Sequence, residues 1–273
     1  MAISLRCDTH THTLFSRHAY STIEENVGAA RDAGLELLVS TDHFSDMLFP
    51  DFRNYKNYQY LSTCHIWPLE WKGITLLRGC EADIVDLDGH LFGYDIPIDC
   101  NVVGDPYKEG SRSLYDRVTE KMHYVIGSVH STRFAANAGS AACTEAYLRV
   151  LEDPKILMLG HIGRSGLPIE IDPILLRAKE LHKLIEINSH SMESGGRVVE
   201  KCRRIAERCA ELGVSIAVNS DAHVSADIGN FRNVPAMLEE LHFPEELIAT
   251  RSRESFLAAL RMAHTCPEKI IPV

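Results

Sequence analysis

Seven short stretches of the chain are nearly continuous runs of apolar residues. They are "AISLRC" (2–7), "LELLVS" (35–40), "ITLLRGC" (74–80), "YVIGSV" (124–129), "ILMLG" (156–160), "LIEI" (184–187) and "SIAV" (215–218). Runs that are apolar at consecutive positions suit strands covered on both faces. Between them the apolar spacing lengthens to that of helices. Ile23, Val27 and Ala30 share a helical face, Thr22 with Glu25 forms a capping box, and Gly34 suits the stop. Asp172-Pro173 reads as an N-cap followed by proline in the first turn. Val198, Cys202, Ile205, Cys209 and Leu212 are spaced 4, 3, 4 and 3, and Gly213 follows. Alternating strands and helices imply a parallel sheet with right-handed crossovers. The expected fold is α/β, a distorted seven-stranded, TIM-like (β/α)7 barrel over residues 1–273 as one domain.

Two segments break the rhythm. Residues 44–73 are rich in aromatic side chains and predict a partly helical cap beside the site. Residues 131–143, "STRFAANAGSAAC", are small and turn-prone, and suit a mobile lid.

Composition narrows the class. Of 273 residues, 45% are hydrophobic and 24% charged, ordinary values for a globular protein. No apolar run reaches the ~18 residues of a membrane helix, and the N-terminus lacks a long apolar segment, so the expected location is cytoplasmic. The eight cysteines form no CxxC pair and read as reduced, buried thiols. A net charge of −10 disfavours a broad nucleic-acid surface. It leaves small phosphorylated substrates open, because bound cations reverse the sign inside a pocket. The basic residues between Arg197 and Arg208 are interleaved with Glu200 and Glu207, as on a solvated helix face.

The chemistry gathers where the strands end, as it does in barrels of this type. The first strand leads into Asp8, His10 and His12, with His18 just beyond. The later ones lead into Asp42-His43, Glu81, His130, His161, Asn188, and finally Asp221 with His223. Side chains at i and i+2 of an extended strand share a side, so His10 and His12 can bind one ion together. Seven imidazoles and two carboxylates exceed the roughly four ligands of one zinc ion. They suit two or three ions with a bridging carboxylate, and nitrogen and oxygen donors without thiolate favour zinc, iron or manganese. Asp8 and Asp42 are expected to orient imidazoles. His190 is a candidate proton donor or substrate contact. Arg133 and Arg164 follow His130 and His161 at matching offsets and are candidates to hold a phosphate in a bidentate manner. His65, His90, His123, His182, His242 and His264 lie away from strand ends and read as surface or core residues. There is no GxSxG motif, and Cys7 and Cys80 read as packing.

Taken together, "DTHTHT", "STDH", "GCEAD", "GSVH", "GH" and "NSDAH" resemble the polymerase-and-histidinol-phosphatase (PHP) superfamily. "HAYST" (18–22), "IWP" (66–68), "EIN" (186–188) and "FPEELI" (243–248) resemble its YcdX-type phosphatase branch. The resemblance implies the PHP barrel and three divalent ions, with zinc first and manganese or iron as alternatives. By motif, His10, His12, Glu81 and Asp221 hold the first ion. Glu81 bridges to a second, held by His130 and His161, and His18, His43 and His223 hold the third. Members of the branch are zinc phosphatases, sometimes homo-oligomeric. One motif departs from the pattern: "GHIGR" (160–164) stands where relatives often have His-Pro-Gly.

The expected activity is hydrolysis of a small phosphomonoester, with Glu81, His190, Arg133 and Arg164 as the catalytic set. Neither a membrane nor a nucleic acid is the expected partner. Histidinol-phosphate phosphatase is the nearest alternative. A phosphodiesterase or exonuclease is disfavoured by the lack of a basic channel. An amidohydrolase is disfavoured because the fourth strand ends in His130, not a bridging lysine. A regulatory metal-binding protein with coordinatively closed ions is the alternative from another class.

Overall fold

The computed structural model describes residues 3–267 and 271. Seven strands form one parallel sheet, and their order in space is their order in the chain. They are β1 (Cys7–Thr11), β2 (Leu37–Ser40), β3 (Ile74–Asp83), β4 (Tyr124–Ser128), β5 (Ile156–Leu159), β6 (Leu184–Asn188) and β7 (Ile216–Asn219). Six of the seven fall on the apolar stretches, because strands sandwiched between an interior and a helical layer need apolar residues on both faces, whereas β1 shares only Cys7 with its stretch. β1 begins only at Cys7 and takes in Asp8 and His10, and β3 runs on through Glu81. Those polar residues are therefore held by sheet hydrogen bonds, not by loops.

The ring is nearly closed. Between β7 and β1 the backbone of Asp221 donates to His10 O at 3.0 Å, and that of His12 to Ala222 O at 2.9 Å. Lower down, the side chain of Asn219 accepts from the backbone N–H of Thr9 at 2.9 Å and replaces a ladder bond.

The helices are α1 (Ile23–Asp32), α2 (Gln59–Ser62), α3 (Leu114–Thr119), α4 (Ser140–Glu152), α5 (Ile171–Glu180), α6 (Gly196–Leu212), α7 (Val234–Glu240) and α8 (Arg253–Ala263). α1 has the Thr22/Glu25 capping box. α6 buries Cys202, Ile205, Ala206 and Cys209 and ends on Gly213 at φ +67°, a left-handed turn that favours glycine. Its polar face carries the Arg203–Glu207 pair at 3.5 Å. Inside the barrel, Leu37, Val39, Leu77, Ile126 and Met158 pack together, and Phe256, Leu257 and Leu260 of α8 join them at the N-terminal ends of the strands.

Two expectations change. α5 starts at Ile171 with Glu170 as N-cap, so Asp172 lies inside the first turn. Its carboxylate is taken by Arg208 of α6 at 2.6 Å, and Pro173 costs no helix bond because the first N–H groups of a helix have no acceptor. In the 131–143 segment, only one turn, Arg133–Ala135, precedes α4, which starts at Ser140. Ala141 and Ala142 are strong helix formers, so the segment's last residues join the helix. The 44–73 segment is a chain of short helical turns, as expected. Phe44, Tyr58 and Phe92 meet edge to face beneath it, and Tyr60 Oη donates to His43 O at 2.9 Å. Among the described residues no helix is long and apolar enough to cross a membrane, and all eight cysteines are free.

Candidate metal centre

The C-terminal ends of the strands bring all nine candidate ligands into one cluster around Glu81. This carboxylate is fully buried in the heart of the barrel mouth. Its Oε1 lies 2.8 Å from His161 Nε2 and 3.4 Å from His130 Nε2. Its Oε2 lies 2.8 Å from His43 Nδ1, 3.3 Å from His10 Nε2 and 3.6 Å from His12 Nε2. Asp221 Oδ1 stands 3.1 Å from His12 Nε2 and 3.7 Å from His10 Nε2. His18 Nε2 meets His43 Nε2 at 3.2 Å and His223 Nε2 at 3.1 Å. Three groups are tight enough to hold an ion: His10/His12/Asp221, His43/Glu81/His130 and His12/His43/His223. His43 and His12 each belong to two of them, so the three groups form a chain, with His18 beside the His12/His43/His223 group.

The outer ring nitrogens decide which way the lone pairs point. His10 Nδ1 donates to Glu186 Oε1 at 2.7 Å, and His130 Nδ1 donates to Asp83 Oδ1 at 2.5 Å. Ser16 Oγ donates to Asp42 at 2.7 Å, so it accepts from His12 Nδ1 at 3.1 Å. His223 Nδ1 donates to the carbonyl of Asp221 at 2.9 Å. Each of these imidazoles therefore turns its Nε2 toward the cluster, free to coordinate once any proton there has left. Nε2 atoms facing carboxylate oxygens need a cation between them, either a proton or a metal ion. Buried His10 Nε2, His43 Nδ1 and Glu81 Oε2 also lack any hydrogen-bond partner. Such atoms are costly to bury, and coordination to divalent ions satisfies them. The donor set fits the expected metals.

Sequence reasoning missed the two carboxylates that orient His10 and His130. Glu186 is a lone charge inside the apolar run "LIEI", and Asp83 stands two residues after Glu81 on the same strand. Both signals were available. Asp42 does serve an imidazole, but through Ser16. Asp8 touches none: it accepts from Ser220 Oγ at 2.5 Å and from the backbone of Gly229 at 2.9 Å. The reason is a bulge. Asp8 lies opposite Leu38 but Thr11 opposite Ser40, so β1 carries an extra residue that breaks the i, i+2 relation of Asp8 to His10.

Electrostatics divides the imidazoles. Burial, and then the neighbouring rings, hold His18 down to about 4. His12 and His223 are also lowered, chiefly by burial. Burial works the other way from the carboxylates at His130, where Glu81 and Asp83 prevail and raise it to about 10. His10 is raised as well, because Glu186, Glu81 and Asp221 outweigh its burial. Burial disfavours the charged carboxylates of Glu81 and Asp221, but the surrounding imidazoles hold both well below their usual range.

Two of the ligand candidates sit in left-handed backbone, His161 at φ +28° and Asp221 at φ +57°. Such strain in non-glycine residues persists only where the surroundings impose it. For His161, Glu186 Oε2 takes its backbone N–H at 2.7 Å. In the same "GHIGR" loop a Cβ on Gly160 would stand 2.9 Å from Ile126 Cγ2, so only glycine fits there.

A cleft of about 510 Å³ opens above the cluster, lined in part by His18, Arg164, His190 and Asp227. Arg164 Nη2 lies 2.9 Å from Asp221 Oδ2. His190 is half exposed, with Glu193 3.9 Å away. Arg133 is not in this cleft: it lines a neighbouring one, because the Arg133–Ala135 turn leads away from the mouth. Of the other histidines, His123 is buried against Arg78, whose backbone N–H it meets at 3.1 Å. His182, His242 and His264 are exposed residues in left-handed backbone.

Fold and site together define a parallel β/α barrel with a cluster of candidate metal ligands at its C-terminal mouth. The PHP domain matches residues 8–201, and the chain belongs to this family. A relative from Clostridium botulinum strain Hall, named "Probable phosphatase", is 37% identical over 255 residues, covering 93% of each chain. One from Vibrio campbellii with the same name is 32% identical over 262 residues, covering 95% of this chain and 94% of the relative. The fold is similar to histidinol phosphate phosphatase from Lactococcus lactis, solved with zinc, L-histidinol and phosphate. The TM-score is 0.55 at 16% identity, over 88% of this chain and 94% of that one. A chain in archaeal ribonuclease P with mature tRNA gives a TM-score of 0.52 at 14% identity, over 94% and 91%. At such identities the likeness concerns the fold alone.

Proposed function

We propose that this protein is a metal-dependent phosphatase that hydrolyses a small phosphomonoester at a three-ion site. The chain is a hydrolase, as its phosphatase relatives indicate. The observation that carries the reading is the set of imidazole nitrogens turned inward around the buried, partnerless Glu81 Oε2, beneath an open cleft. His10, His12, Glu81 and Asp221 would hold one ion, Glu81, His130 and His161 a second, and His18, His43 and His223 a third. Zinc suits this donor set best, with manganese or iron as alternatives. Ions held there supply a hydroxide nucleophile near neutral pH and offset phosphoryl charge.

The chain's own residues do the rest. Glu186, Asp83 and Ser16 fix the tautomer and direction of the ligand rings. Arg164 lines the cleft while tethered by Asp221, and its remaining N–H groups suit phosphoryl oxygens. His190, exposed at the rim, is placed to protonate the leaving oxygen. The eight unpaired cysteines fit a cytoplasmic location.

The test is turnover of a phosphoester panel by protein of known metal content, with L-histidinol phosphate and phosphodiesters included. Metal-dependent release of phosphate from monoesters is expected. Fully loaded protein that hydrolyses nothing would sink the proposal, and preference for a phosphodiester would redirect it.

A further inference from the structure

A second cleft of about 510 Å³ lies beside the metal centre. The two clefts share His130 and Met47, so they adjoin on either side of these side chains. Ile84, Val85 and Phe134 give the second cleft an apolar wall. Its charged groups are unequal. Asp83 is already committed, to His130 Nδ1 and to Ser45 Oγ, both at 2.5 Å. Asp46 is exposed beside it. Arg133, an exposed residue, contributes the guanidinium, and among the described residues that group has no ion pair or hydrogen bond; only its backbone is engaged, the N–H with Ser131 Oγ at 3.4 Å and the carbonyl with Ala136 N–H at 3.4 Å. Its counterpart Arg164 is different, being held by Asp221 inside the first cleft.

We infer that the second cleft receives the leaving group of the substrate, and that Arg133 selects a leaving group bearing its own anion, a carboxylate or a second phosphate. The inference rests on the phosphatase reading for the placement of the phosphoryl group in the first cleft. The guanidinium of Arg133 lines the cleft with no protein partner, so its N–H groups are open to a ligand anion there. A bidentate contact to an anionic oxygen pair is the interaction its planar fork favours. The apolar wall suits the short carbon skeleton between the two anionic ends.

The test uses non-hydrolysable phosphonates of matched length on the zinc-loaded full chain, with binding read by calorimetry. 3-Phosphonopropanoate carries the second anion, propylphosphonate lacks it, and 3-aminopropylphosphonate carries a cation. The wild type is expected to bind the carboxylate ligand roughly tenfold more tightly than the neutral one, in line with one charge-assisted contact. In Arg133→Gln that ratio should fall to near one, and Arg133→Lys should keep part of it. Equal wild-type affinities, a ratio unchanged in Arg133→Gln, or an equal loss for both ligands overturns the inference. Tightest binding of the amine also overturns it and assigns the cleft to Asp46. Turnover of 3-phosphoglycerate against glycerol 3-phosphate is measured in parallel. If neither these esters nor any monoester of the panel is hydrolysed the phosphatase reading fails, while the binding ratio still decides the role of Arg133.

Discussion

Glu186 Oε1 stands 2.7 Å from His10 Nδ1, and neither side chain of the pair has exposed surface. The other oxygen, Oε2, takes the backbone N–H of His161 at 2.7 Å. One carboxylate thus holds a ring on β1 and a strained turn after β5. Glu186→Ala is expected to lower metal affinity 10- to 100-fold, the usual effect of removing a carboxylate behind a ligand histidine. It also leaves the buried N–H of His161 unpaired, which costs about 1–3 kcal/mol. Competition against a chelator and a denaturant titration of the metal-free protein read the two effects separately. Unaltered affinity would remove the positioning role.

Ion count separates the three proposed groups. His18 meets only His43 and His223 in the cluster, whereas His43 also lies 2.8 Å from Glu81. His18→Ala is therefore the cleaner variant. It should lose one ion by elemental analysis, and Glu81→Ala should lose two. An unchanged content in Glu81→Ala would refute the bridging assignment.

The groups should also differ in pH dependence. Without metal, Glu81 and Asp83 keep His130 protonated up to about 10, so metal must displace its proton, and affinity there rises with pH through the neutral range. His18, down at about 4, and His12, held well below its usual range, are already neutral at pH 6, and His223 is shifted the same way. Their affinity should change little until the pH approaches theirs. Dialysis at stepped pH from 8 to 5, followed by cobalt spectroscopy, should show the Glu81–His130–His161 group emptying before the His18–His43–His223 group. The reverse order would contradict the electrostatic division.

The opposite mouth of the barrel offers a control. Phe256 is fully buried among the interior residues, far from any ligand candidate. Phe256→Ala should cost about 3–5 kcal/mol of stability, the range for deleting a buried aromatic ring. The folded protein should keep its full metal content. A selective loss of ions would mean that α8 couples to the ligands.

Six of the seven strands were legible because burial on both faces forces consecutive apolar residues, while β1 lies one stretch further on, in the polar "CDTHT". The clustering of the candidate ligands was legible because a barrel places its polar residues at the C-terminal ends of its strands. Glu186 and Asp83 escaped notice for a related reason: they lie within strands, and adjacency in sequence does not say which ring they face. Asp8 misled in the opposite direction. Alternation places it on the side of His10, but the extra residue in β1 is a property of pairing with β2, and no pattern within β1 alone reveals it. Asp172 likewise looked like a cap because its partner, Arg208, sits on another helix.

The near-closed junction between β1 and β7 has one more consequence. His10 and His12 stand on one side of it, and Asp221 and His223 on the other, so an ion held among them is a cross-link between residues more than 200 positions apart. Clips that close long loops restrict the unfolded chain most. Metal removal should therefore loosen the first and last strands before the middle of the sheet. In that sense ions bound there would be the clasp of the ring as well as the source of its chemistry.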